Sequence, residues 1–237
     1  SIVFNSLGIL IVCYALFKIK VIVYSRAIIQ RNILYYGLLI IPAFIFSGGF
    51  TDFRRIDLSA IDKTLFWLYC LKLLSSSFIE EILFRGLILG VFLQKYGLDN
   101  KGVLKSVVYS SLIFGVMHII NFFTQPGFTF VSALNQIYAA GCLGFMFGAI
   151  YLKTKNIIML GIFHFFINFF SMIGVLTLPI EISPDTPSQA VESISLLNTV
   201  ISEIVRIVIF GIPLLIGLFV LQNTKIDVVK SSSIETT

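Results

Sequence analysis

Long apolar runs, each close to the thickness of a bilayer core, constrain this chain more than any other feature. A helix that crosses a membrane needs about 20 mainly apolar residues, within a range near 17–25. Such runs fall at residues 1–17, 33–50, 64–93, 106–123, 130–152, 157–178 and 197–222. The loops between them are too short to fold on their own. Composition agrees: 57% of the 237 residues are hydrophobic and 12% are charged, whereas soluble domains carry about 25% charged residues. The predicted fold is all-α, a polytopic membrane helix bundle of about seven to eight transmembrane helices. One transmembrane domain covers residues 1–224, with a motif-bearing core at about 64–178, and a polar cytoplasmic tail covers 225–237.

The run at 64–93 is unusually long. Its 30 residues make either one helix of roughly 45 Å or two helices joined near Ser75, Ser76 and Ser77. Loop charge favours one crossing. With the N-terminus outside, the inside loops hold Lys18, Lys20, Arg26, Arg31, Lys95, Lys101, Lys105, Lys153, Lys155, Lys225 and Lys230. Only Arg54, Arg55 and Lys63 then lie outside. Splitting the run reverses everything downstream and violates the positive-inside rule. The expectation is a multi-pass cell-membrane protein with seven crossings and a cytoplasmic C-terminus, or eight with one more segment upstream. Membrane orientation accounts for the net charge of +5, so the lipid bilayer is an expected partner and nucleic acid is not. Cys13, Cys70 and Cys142 are odd in number and sit in apolar runs, which argues against a disulfide framework or a thiolate metal site.

Charged residues inside the spans stand out because each costs about 2.5–3.5 kcal/mol at mid-membrane on insertion scales. They are Lys72, Glu80, Glu81, Arg85, Glu203 and Arg206. Glu81 and Arg85 stand four apart with the acid N-terminal, the favourable order for a helical ion pair. Glu80 points about 100° away and is left as the spare carboxylate. Glu203 and Arg206, spaced i,i+3, read as a structural pair. Lys72 reads as a polar-pocket or water-facing residue, and Ser75 to Ser77 are given no chemistry. The chain has only two histidines, His118 and His164. Asn168 shares a helical face with His164, four residues on. Measured from the cytoplasmic end of each helix at about 1.5 Å per residue, Glu80 lies roughly 20 Å deep, His118 roughly 18 Å, His164 roughly 10 Å and Asn168 roughly 16 Å. Three helices therefore bring polar side chains to a similar level.

Glu80-Glu81-Ile82-Leu83-Phe84-Arg85 fits EExxxR, Phe114 to His118 fits FxxxH, and His164 to Asn168 fits HxxxN, in that order. Together they resemble the CPBP family: CAAX prenyl endopeptidases and bacterial relatives linked to bacteriocin processing and self-immunity, also called Abi proteins. The resemblance covers roughly residues 64–178 and implies a glutamate-dependent intramembrane endopeptidase. On that reading Glu80, helped by His118, activates a water that attacks a peptide carbonyl. His164 and Asn168 meet the oxyanion, and Arg85 holds Glu81 ionised beside them. The substrate is a peptide or protein at the membrane, with leader-peptide or bacteriocin-type processing preferred to prenylated substrates.

No cofactor is expected. Zinc is the chemical rival, since two carboxylates and two histidines can hold it with water in an open position. Against it, the HExxH spacing is absent, and Arg85 adds positive charge beside the cation. The non-enzymatic alternative is a self-immunity or regulatory membrane protein that binds a partner membrane protein or peptide on the same fold. A proton-relaying transporter is a third possibility, weakened by the lack of paired, Gly/Pro-broken helices in repeated halves.

Overall fold

The computed structural model describes residues 61–125, 127–173 and 196–222, with Gly8, Tyr14 and Ile41 as single positions. The runs at 1–17 and 33–50 and the tail 225–237 lie outside the described residues, apart from those three positions. The described chain is helical: α1 Lys63–Glu81, a π-helical stretch Ile82–Ile88, α2 Leu89–Tyr96, α3 Asn100–Met117, α4 Ile120–Thr124, α5 Phe130–Thr154, α6 Ile157–Met172 and α7 Leu196–Gln222. Among the described residues three segments are long and apolar enough to cross a membrane, Asn100–Thr124, Phe130–Thr154 and Glu203–Gln222, and Ile157–Ser171 is a shorter apolar helix.

Local sequence explains where these helices start. Asp62, Asp99, Thr129 and Asn156 each accept a hydrogen bond from the backbone N–H three residues on, at Leu65, Gly102, Ser132 and Met159. Each side chain thus satisfies one of the donors orphaned at a helix N-terminus. The stops are equally local. Gly97 takes φ +86° after α2, and Lys155 enters the left-handed region at φ 53° after α5, the conformation that commonly ends helices.

Residues 63–96 form one continuous helix rather than two, so Ser75 to Ser77 do not break it. Ser75 instead donates to the Lys72 carbonyl at 2.9 Å. The irregularity lies further on, where Ile82–Ile88 widens into a π turn and Leu89 N–H reaches Phe84 O. Ser110 of α3 adds a second bond to that carbonyl at 3.1 Å, which ties the π stretch to the neighbouring helix.

The expected span at 106–123 is not a single uninterrupted helix. α3 ends at Met117, and His118 is its C-cap. His118 and Ile119 N–H groups turn to Gly115 and Val116 carbonyls at 3.0 Å, the i→i+3 tightening common at helix ends. α5 packs along both α3 and α7, α6 lies against α1, and α2 returns along α3. The α3–α5 crossing is close. A Cβ on Gly115 would sit 2.6 Å from Ile137 O, and one on Gly144 would sit 2.8 Å from the Phe114 ring. The apolar core is built from α2, α3, α5 and α6 around Leu89, Val107, Met146, Phe147, Ile150 and Leu160.

Candidate active site

The α1–α6 pair carries the first half of the site. Glu81 is fully buried, and Arg85 is 2% exposed one turn on, with Nε 3.0 Å from Glu81 Oε2. That approach is an ion-pair contact outside hydrogen-bond alignment, and among the described residues Glu81 Oε2 and Arg85 Nη1 have no hydrogen-bond partner. The guanidinium is held by other means. Nη2 donates to Gly144 O at 3.4 Å, and the cation lies 4.5 Å from the centre of the Phe114 ring and 5.4 Å from that of Phe147. Desolvated cation–π contacts of this kind contribute about 2 kcal/mol.

Glu81 spends its other oxygen on His164. His164 Nδ1 lies 2.8 Å from Glu81 Oε1, and a carboxylate facing a guanidinium is an acceptor only. Nδ1 therefore donates. The imidazole is 3% exposed and edge-on to Phe114 and Phe147, so both its tilt and its rotation are fixed. Its Nε2 is left facing Glu80 Oε2 at 3.7 Å.

Glu80 is differently placed from its neighbour. Its side chain keeps 27% of its exposure, and Oε1 accepts from Ser76 Oγ at 3.2 Å. Adjacent helical residues point about 100° apart, which puts one carboxylate into the packed interior and the other at its edge. Asn168, one turn beyond His164, donates through Nδ2 to the buried Ser77 Oγ at 3.3 Å. Ser76 and Ser77 thus each hold a candidate residue, a role that sequence reasoning missed. Their spacing is the available signal: Ser76 stands one turn before Glu80.

His118 sits where α3 ends. Its Nδ1 lies 2.8 Å from Phe114 O, and a carbonyl only accepts, so Nδ1 is again the donor. In the neutral ring Nε2 then carries a bare lone pair. No hydrogen bond or ion pair joins His118 to Glu80; the imidazole in contact with Glu80 is His164. His118 instead shares a cavity of about 530 Å³ with His164 and Asn168, inside the range of about 300–1,000 Å³ for ligand pockets. Phe114, Leu143 and Ile167 supply part of its apolar lining.

The remaining charged groups lie apart. Lys72 is exposed. Glu203 accepts from Asn135 Nδ2 at 3.2 Å, and the side chain of Arg206, its expected partner, is outside the described residues. Cys70 and Cys142 are free thiols. Among the described residues no three His, Cys, Asp or Glu side chains are grouped to hold a metal ion.

Residues 62–170, just under half of the chain, match the family model described as Type II CAAX prenyl endopeptidase Rce1-like. The match begins at the α1 cap Asp62 and closes two residues beyond Asn168, so it contains all six candidate residues. No curated protein and no solved structure matches the chain. Residues 62–170, which carry the three motifs, are thus similar to the Rce1-like model of the CAAX-protease (CPBP) family.

Proposed function

We propose that the protein is an intramembrane, metal-independent endopeptidase that hydrolyses a peptide bond of a membrane-associated peptide or protein. The observation that carries this reading is the 3.7 Å approach of Glu80 Oε2 to His164 Nε2 beside a cavity that His164, Asn168 and His118 line. On this reading a base and an oxyanion donor flank one reacting centre, the arrangement that acyl transfer requires.

In the proposed reaction a water held by Glu80 gives up a proton to that carboxylate as its oxygen bonds to the substrate carbonyl. His118 offers the bare Nε2 as a second acceptor for the same water. Negative charge gathers on the carbonyl oxygen and is met by Asn168 Nδ2 and by a proton on His164 Nε2. One such donor is worth about 10²–10³ in rate. Glu81 keeps the imidazole in place through Nδ1, and a proton on Nε2 balances the charge of two carboxylates facing one guanidinium. The tetrahedral centre then collapses, the C–N bond breaks, and Glu80 returns its proton to the leaving amine. Glu81 is already engaged by Arg85 and His164, so a metal would have to displace an ion pair to use it.

The test is cleavage by purified protein in micelles or liposomes, with farnesylated CAAX peptides and unmodified peptides compared. Glu80→Gln and His118→Ala are expected to reduce turnover at least 10²-fold while the melting temperature is kept. Full turnover by either variant would overturn the scheme. An inactive wild type that still protects cells from a peptide toxin would favour the self-immunity alternative.

A further inference from the structure

The α5 wall of the cavity carries polar groups that the chemistry above does not use. Ser132, Asn135 and Gln136 line it among apolar neighbours. Each of the two amides has one end fixed by a neighbouring helix. Asn135 Nδ2 donates to Glu203 Oε2 of α7 at 3.2 Å. A carboxylate oxygen accepts, so the orientation of the amide is settled and Oδ1 is left as an acceptor. Gln136 Oε1 accepts from Asn121 Nδ2 of α4 at 2.9 Å, which leaves its Nε2 with N–H donors to offer. Among the described residues, no hydrogen bond engages Asn135 Oδ1 or Gln136 Nε2. Both residues line the cavity, one with an unengaged acceptor and the other with an unengaged donor, and Leu143, Ile167 and Phe210 are among its apolar lining.

A peptide main chain presents the complementary pair, one N–H and one C=O per residue. Both side chains are half-buried, so an occupant that covers them must supply both partners or leave a polar end unmade at about 1–3 kcal/mol each. We propose that the α5 face of this cavity is a main-chain docking site for the substrate. An extended segment would give an N–H to Asn135 Oδ1 and accept from Gln136 Nε2, with its side chains against the apolar lining. The chain would then pass to His164 and Asn168 on the α6 wall. The substrate class rests on the peptidase reading; the binding geometry does not. Recognition through the main chain is indifferent to side-chain identity, so selectivity here is for extended conformation.

The probe is a position-randomised octapeptide library, internally quenched and presented in micelles. The best-cleaved member is resynthesised with each amide N–H in turn replaced by an ester oxygen. At one position near the scissile bond the ester is expected to raise KM roughly 3- to 10-fold, one hydrogen bond's worth, with kcat unchanged. On Asn135→Ala the same ester is expected to change KM less than about 2-fold, because the acceptor is already gone. Gln136→Leu should raise KM with little change in kcat, since it leaves the Asn135–Glu203 contact untouched. A photocrosslinking version of the same library, bound to the Glu80→Gln variant, reads docking without turnover. Cleavage with no ester-sensitive position, or crosslinking unchanged in Gln136→Leu, would overturn the docking site and leave the peptidase reading intact. Crosslinking that depends on Asn135 and Gln136 in a protein that cleaves nothing would do the reverse.

Discussion

Arg85 and Glu81 offer the sharpest separation of stability from chemistry. Arg85→Met leaves a fully buried Glu81 carboxylate with His164 alone for company. Breaking a buried pair by removing one partner costs about 3–5 kcal/mol, and this guanidinium also loses two aromatic faces worth up to about 2 kcal/mol. Glu81→Gln strands the guanidinium and should cost a similar amount. The double variant Glu81→Gln/Arg85→Met removes both charges, and replacing buried pairs by apolar groups is often neutral. It should therefore regain at least about 2 kcal/mol over either single variant, a positive coupling of the size seen for residues in one network. Reversible unfolding in mixed micelles, followed by far-UV circular dichroism, measures all four corners. Turnover should not follow. The double variant no longer holds His164 Nδ1 with a carboxylate, so activity stays down by about 10²–10³, the worth of one oxyanion donor. Single variants that lose less than about 1 kcal/mol, or a double variant that recovers activity together with stability, would refute both halves of this reasoning.

Ser77→Ala removes the acceptor that holds Asn168 Nδ2. Turnover should fall roughly 2- to 10-fold with KM unchanged, in line with one net hydrogen bond, and Ser77→Thr should restore part of it. Gly115→Val forces a side chain towards the Ile137 carbonyl at the α3–α5 crossing, so unfolding should come at least about 1–3 kcal/mol earlier, read in the same micelle assay. Prolonged treatment with a strong chelator is expected to leave turnover unchanged; loss of activity restored by zinc would replace Glu80 as the water activator.

Rise per residue is fixed at about 1.5 Å, so counting along each helix gives an expected level for Glu80, His118, His164 and Asn168. Rotation about the helix axis depends on how two helices pack, and no single helix encodes it. Counting therefore paired Glu80 with His118, whereas the α1–α6 contact brings His164 to it. The Glu81–Arg85 contact was accessible because it is local to one helix. The π stretch was not, and Gly86 inside an otherwise helical run is the single cue to it. Ser76 and Ser77 escaped for the reason rotation did. A serine in an apolar helix can bond back to its own turn, as Ser75 does, and only the neighbouring side chains show which ones turn outward.

Two adjacent glutamates come to occupy different physical situations through one residue's rotation about α1. Glu81 is buried against Arg85 and His164, which themselves lie against the rings of Phe114 and Phe147. Each of these side chains contacts at least one other, so the geometry resists displacement. Glu80 faces the edge, with a serine contact, the His164 imidazole at 3.7 Å and a residual opening to its surroundings. A carboxylate that must take and return a proton needs that freedom, and one that must keep an imidazole still needs the opposite. Exchanging the two environments, for instance with Ser76→Leu to close the edge over Glu80, should therefore slow turnover more than it changes stability. Such a loss, with the Glu81–His164 contact intact by spectroscopy, would show that the open side of the helix matters as much as the buried one.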